Sequence, residues 1–140
     1  MKPIEVGSAE YRLELDLRMK ILRKPLGLTF SPEDLEKERG DVHLGAFDGA
    51  TLLGCLILTP LSATTIKMRQ VAVDDHLQGK GVGRALVEAS ELKARALGHQ
   101  VIELNARDTA VPFYLRLGYQ VVGEPFTEVT IPHRKMRKRL

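Results

Sequence analysis

Tryptophan is absent from this chain, cysteine occurs once, and three tyrosines and four phenylalanines are its only aromatic side chains. The lone cysteine, Cys55, excludes an internal disulfide framework and predicts a protein of the reducing cytoplasm. Long apolar runs are missing too. The stretch Leu52 to Leu58 is broken by Gly54 and falls far short of the roughly 20 residues that span a membrane. No membrane partner is therefore expected. Met1-Lys2-Pro3-Ile4-Glu5 leads into Glu10, Arg12 and Glu14 without an apolar h-region, so no secretion signal is expected. There is no zinc-ligand spacing, internal repeat, low-complexity tract or long linker, and no metal is expected.

What is present is ordinary for a globular chain: 140 residues, 44% hydrophobic and 28% charged. That length predicts one domain over 1–140 with a core able to hold itself together without staples. The net charge is +3, and part of the excess lies in His133-Arg134-Lys135-Met136-Arg137-Lys138-Arg139-Leu140. This run reads as a solvated edge or a ragged tail, with an anion-binding patch as the sharper alternative. No aromatic side chains are interleaved with the basic ones, so no nucleic-acid partner is expected. A homodimer is compatible with the composition, which does not decide it.

The hydrophobic period changes along the chain. Ser8 is placed to cap a first helix carrying Leu13, Leu17 and Ile21 at helical spacing, ended by Pro25 and Gly27. Ser31-Pro32-Glu33-Asp34 opens a short second helix stopped by Gly40. Val42 to Phe47 and Thr51 to Leu58 read as strands joined through Asp48-Gly49, and Ile66 to Val73 as a third. A helix from about Arg84 to Leu97, a strand Val101 to Asn105, a short helix Thr109 to Leu117 and strands Tyr119–Val122 and Val129 onward complete the order. The alternation predicts an α/β (α+β) chain with a mixed sheet and helices packed on it.

Between the third strand and the long helix stands Gln78-Gly79-Lys80-Gly81-Val82-Gly83. Three glycines in six positions open backbone conformations closed to other residues and allow a ligand to come close. The loop feeds a helix N-terminus, where unpaired N–H groups and the dipole favour a phosphate, and Lys80 and Arg84 add positive charge. It is not a P-loop, for no Gly-Lys-Ser or Gly-Lys-Thr occurs. It is not a dinucleotide fingerprint either, because the third glycine position is Arg84 or Leu86 depending on the start. On the loop alone, an anion site and a plain glycine turn both remain open.

Two motifs together narrow the choice. Val71 to Leu86, with Gln78, Gly81 and Gly83 as Gln-x-x-Gly-x-Gly, resembles the acetyl-CoA-binding motif of the GNAT superfamily of N-acetyltransferases. Asn105 at the end of the next strand, and Phe113-Tyr114-Leu115-Arg116-Leu117-Gly118-Tyr119, resemble that family's second segment. The resemblance implies an acyl-CoA N-acyltransferase fold with splayed central strands, helices on both faces and acetyl-CoA as co-substrate. It implies cofactor contacts at Val71, Ala72, Val73, Gln78, Gly79, Lys80, Gly81, Val82, Gly83, Arg84, Asn105 and Tyr114. Tyr114 would be the acid that protonates the departing thiolate.

The base is less marked, because Lys67, Met68, Arg69 and Gln70 offer no carboxylate. Glu128 and His133, in Glu128-Val129-Thr130-Ile131-Pro132-His133, resemble a Glu-x-x-Ile-Pro-His signature of the small bacterial ElaA-like subgroup. That subgroup carries Asp-Gly where this chain has Val129-Thr130. Glu128 is the expected catalytic base. Arg23, His43, Glu128 and His133 are expected to line a pocket for a small-molecule amine, with Arg18 as a second candidate partner for an acidic group on it. The alternatives are an acyl-CoA-sensing module without turnover and a protein or peptide N-acetyltransferase. Cys55, in an apolar strand with no adjacent base, is expected to be buried and inert.

Overall fold

The computed structural model describes residues 1–140. In chain order the elements are β1 (Lys2–Ile4), α1 (Ala9–Arg18), α2 (Pro32–Lys37), β2 (Val42–Asp48), β3 (Thr51–Pro60), β4 (Thr65–Val73), α3 (Val82–Ala96), β5 (Val101–Arg107), α4 (Val111–Arg116), β6 (Gln120–Glu128) and β7 (Ile131–Arg139). One seven-stranded sheet runs in the order β1-β2-β3-β4-β5-β7-β6. Only β4 and β5 are parallel; every other neighbouring pair is antiparallel.

Local chemistry sets the helix ends. The Tyr11 N–H donates to Ser8 Oγ at 3.2 Å, and Ser31 with Asp34 forms a reciprocal capping box ahead of Pro32. Gly98, at φ +88°, ends α3 in a conformation that suits a residue without Cβ. The first helix does not simply stop at Pro25. After α1 it widens into a π-helical turn, Met19–Arg23, and tightens into a 3₁₀ turn, Lys24–Leu26.

The helices divide between the faces of the sheet. On one face α3 and α4 cover Leu56, Leu58, Ile66, Met68, Ile102, Leu104 and Met136. On the other, α1 covers Leu52, Cys55 and Ala72. The buried stripe of α1 is Tyr11, Glu14, Leu17 and Arg18, whereas Leu13 is 39% exposed. The stripe is thus rotated from the expected Leu13–Leu17–Ile21 line, because two charged residues occupy it.

Those charges are fully paired. Arg18 Nη1 donates to Glu14 Oε2 at 2.9 Å, and Nη2 donates to Glu38 Oε1 at 2.8 Å. His43 Nδ1 lies 2.9 Å from Glu14 Oε2, and its Nε2 lies 2.9 Å from the Glu38 carbonyl. A carboxylate and a carbonyl can only accept, so both ring nitrogens donate and His43 is an imidazolium. Burial alone pulls its pKa down, but the hydrogen bonds to Glu14 and to the Glu38 backbone outweigh that and leave it raised. Two anions and two cations balance in the interior, tying α1 to β2 and to the end of α2.

The basic C-terminal run is neither a tail nor an edge. It forms β7, held on one side by β5 (Leu104↔Met136) and on the other by β6 (Val121↔Met136). Arg137 Nη2 donates to Glu103 Oε2 at 3.1 Å on one face, and Lys138 Nζ donates to the Leu117 carbonyl at 2.8 Å on the other. Cross-strand and helix partners neutralise these cations, which is why a strand this basic can lie inside a sheet.

Candidate functional site

Strands β4 and β5 pair at Thr65↔Val101, Ile66↔Ile102 and Lys67↔Glu103, and then part, although β4 continues to Val73 and β5 to Arg107. The parting is built into β4. An extra residue there shifts its register against β3, and Gln70 sits in the bulge at φ +54°. Beyond the bulge, the Asp74 N–H donates to the Leu53 carbonyl at 3.0 Å. By strand alternation the peptide groups of Val71 and Val73 then face away from β3, into the gap. A cleft of about 620 Å³ fills that gap, lined by Val71, Gln78, Asn105, Tyr114, Glu128 and His133 among others.

The glycine loop closes one end. Gly79 (φ +81°) and Gly81 (φ +89°) take left-handed conformations, and Gly81 is the N-cap of α3 without any side-chain cap. No acidic residue lies in the first turn of this 15-residue helix, so its leading N–H groups keep their positive field. Gln78 Nε2 donates to the Val73 carbonyl at 3.2 Å and fastens the loop to the end of β4. Gly54 lets α3 sit close: a Cβ there would lie 2.8 Å from Leu86 Cδ1 and 3.1 Å from the Ala72 carbonyl. Lys80 and Arg84 are exposed at the rim, Arg84 reaching Glu88 at 2.9 Å. Asp74 holds Lys20 at 2.8 Å. That bond clasps the π-helical turn to the loop and keeps the Asp74 carboxyl below its usual range.

Tyr114 comes from α4 and lines the cleft at 7% exposure. Burial pushes its phenol up to about 12. The Tyr119 ring packs edge-on against it at 5.7 Å, with its own hydroxyl donating to Glu91 at 3.0 Å. Opposite stands the β6–β7 hairpin, with Glu128 and Ile131 paired across the two-residue turn Val129-Thr130. His133 is 8% exposed, stacks on Phe126, and lies with Nδ1 2.7 Å from the Ile131 carbonyl. A carbonyl requires a donor, so Nδ1 carries a proton, and in the neutral ring Nε2 is the basic atom. Nε2 lies 3.6 Å from Glu128 Oε2.

Of the residues singled out in the sequence, Arg23, Val71, Gln78, Asn105, Tyr114, Glu128 and His133 meet at one cleft. Gly79, Lys80, Gly81, Val82, Gly83 and Arg84 run on from Gln78 into the first turn of α3, with Ala72 and Val73 at the end of β4. His43 does not join them: it is 2% exposed and consumed by Glu14 and the Glu38 carbonyl. Arg18 is likewise enclosed, between Glu14 and Glu38. Sequence reasoning missed Arg69 and Arg107 on the cleft wall. Arg107 was within reach of it, since it follows Asn105 at the two-residue period of one strand face. The positive φ at Gln70 leaves no mark in the sequence, because no glycine announces it.

Comparison with known proteins adds the following. The acetyltransferase (GNAT) domain model matches residues 29–140. The uncharacterized N-acetyltransferase YjcF of Bacillus subtilis is 37% identical over 123 residues, covering 87% of each protein. Among solved structures, Escherichia coli ElaA superposes with a TM-score of 0.82 at 19% identity, over 98% of this chain and 97% of that one. An aminoglycoside 6′-N-acetyltransferase complexed with coenzyme A gives a TM-score of 0.83 at 18% identity, over 99% and 95%.

Proposed function

Because this chain belongs to the GNAT family of acetyltransferases, we propose that it is an N-acetyltransferase that moves the acetyl group of acetyl-CoA to the primary amine of a small molecule, by direct attack in a ternary complex. The observation that carries this reading is a cleft shared by an unpaired β4 edge and a buried phenol, with Gln78 on its wall leading to the uncapped N-terminus of α3.

The residues suit the co-substrate. The peptide groups of Val71 and Val73 pair with the pantetheine amides as an added strand would. The amides of Gln78 to Arg84 hold the pyrophosphate at the start of α3. Acetyl-CoA supplies an activated acyl group as its thioester. The Val71 N–H, aimed into the gap past the bulge, polarises the thioester carbonyl. Asn105 orients the arm from the β5 side.

Tyr114 Oη donates its proton toward the departing sulfur. With its pKa raised to about 12 the phenol stays protonated wherever the amine is free to attack. On the other side of the cleft, Nε2 of His133 takes the one proton the attacking amine loses, the ring held by the Ile131 carbonyl, and Glu128, 3.6 Å away, accepts it in turn or steadies the imidazolium. The cleft volume of about 620 Å³ suits a small molecule better than a flat peptide groove. A reducing, cytoplasmic setting fits the single buried cysteine.

Free-thiol release from acetyl-CoA, measured across a panel of primary amines, tests the reaction. Tyr114→Phe should lower kcat by about 10²–10⁴-fold while calorimetry finds acetyl-CoA binding retained. Full activity of that variant with an unchanged pH profile would remove Tyr114 from the acid role. Binding without turnover on every amine would favour an acyl-CoA sensor.

A further inference from the structure

Three guanidinium groups face the same cleft: Arg23 from the π-helical turn, Arg69 from β4 and Arg107 from the end of β5. Glu128 is the only carboxylate among the lining residues. Arg69 leans on Glu38 and Asp41, at 3.7 Å and 3.8 Å. Arg23 instead lies over the Phe30 ring at 4.8 Å, and the acid that feels its charge, Asp34, is already engaged with Ser31. Arg107 stands directly across from His133 in the β5–β7 register, and both line the cleft. The aliphatic wall of Leu22, Leu26 and Leu28 completes the chamber.

Such a lining repels a polycation and attracts an anion. It also works on the amine. A site with excess positive charge holds an amine in its neutral, nucleophilic form, because the ammonium form is penalised by like charge. The carboxylate of an amino acid would offset part of the guanidinium field, and the charge left over still disfavours the ammonium form.

We propose that the acceptor is a free amino acid, whose carboxylate is bound by Arg23 and Arg107 and whose amine is thereby presented to His133 and Glu128. This rests on the acetyl-transfer reading above. The bidentate geometry of a guanidinium suits a carboxylate, and two such groups fix the distance from the carboxylate to the attacking nitrogen.

The test pairs each of the common amino acids with its decarboxylated amine, its carboxamide and a matched aminoalkyl phosphate, and reads thiol release. The best amino acid should exceed its decarboxylated partner in kcat/KM by about 10- to 100-fold. Arg107→Gln and Arg23→Gln should each raise the acceptor KM, leave the acetyl-CoA KM in place, and shrink that preference toward unity. A purely structural role would not shrink it. Equal use of the amine, or a preference for polyamines, would overturn the proposal; a preference for the aminoalkyl phosphate would replace the carboxylate with a phosphate and also overturn it. Where no acceptor turns over, the acetyl-transfer reading fails separately. Calorimetric titration of the same pairs into the CoA-saturated protein still decides this one: binding of the amino acid but not of its amine supports it, and the reverse sinks it.

Discussion

At the scale of single residues, the interior of this protein contains charges whose state is dictated by who accepts their protons. His43 has only acceptors at both nitrogens, so the fold demands the imidazolium. Its pKa is raised above the ordinary 6.5, so its contribution is complete below that value and is lost as pH climbs through the folded-state pKa. Urea melts from about pH 5.5 to about pH 9 should show stability declining through this window. In His43→Gln the decline should be flattened, since an amide can bond to Glu14 without titrating. If the gap between wild type and variant is the same at every pH, the imidazolium assignment is wrong. Arg18 is the companion case. Removing it as Arg18→Leu leaves Glu14 with only His43 and Glu38 with only the more distant Arg69, at 3.7 Å, and should cost about 3–5 kcal/mol in chemical denaturation.

Neither role could be read from the sequence. Glu14 and Arg18 sit four apart on a helix and look like a solvated pair. Only the partners from α2 and β2, distant along the chain, show that they face inward. His43 was misjudged for the same reason: a histidine on a strand does not say what lies opposite its ring. Tyr114 was more legible, because the aromatic pair and the following glycine form a local pattern that places it on α4 beside the gap.

At the scale of elements, the turn joining β6 and β7 stands out. Its two residues, Val129 (φ +49°) and Thr130 (φ +62°), take the left-handed conformations of a tight hairpin turn. Asparagine and glycine suit that turn, and β-branched residues pay a steric penalty in it. Thr130→Gly should therefore stabilise the protein by about 1 kcal/mol, seen as a higher urea midpoint at unchanged slope. A lower midpoint would mean that the Thr130 hydroxyl, which donates to the Val129 carbonyl, matters more than the strain. The turn carries Glu128 and leads into His133, so the strained link sits next to the proposed base. The caps at Ser8 and Ser31 and the β2–β3 hairpin were legible, since each is a local rule about one or two residues, although the turn falls on Gly49-Ala50, one residue later than Asp48-Gly49. The π-helical turn was not, because no residue type announces it. Nor was the bulge at Gln70.

At the scale of the whole molecule, strand order is where sequence reasoning had least to work with. The element sequence pointed to a mixed sheet with helices packed on it, the family resemblance to helices on both faces, and the structure has both. The last strand, however, inserts between β5 and β6, and its high charge had suggested a tail. Charge density misleads here because Glu91, Glu103 and the Leu117 carbonyl lie where the cations need them. Met136 gives the clean test, being wholly buried between β5 and β6 in the core beneath α3 and α4. A frayed tail would tolerate Met136→Ala at no cost, whereas an interior strand should lose about 2–5 kcal/mol in denaturant melts. The loop and the second motif were legible because left-handed turns and helix ends demand glycine at fixed positions. The acceptor side was not, because Arg23, Arg69 and Arg107 reach it from three elements far apart in the chain.

The interior position of β7 also imposes an order of events. During synthesis β5 and β6 are both complete before β7 exists, yet β6 bonds to the sheet only through β7. A growing chain must therefore hold two finished strands with open edges and wait for the last one to enter between them. Until it does, the hairpin bearing Glu128 and His133 cannot close over the gap. The nascent protein should thus acquire a platform for its donor well before it acquires a wall for its acceptor, and the two halves of the chamber have separate birthdays.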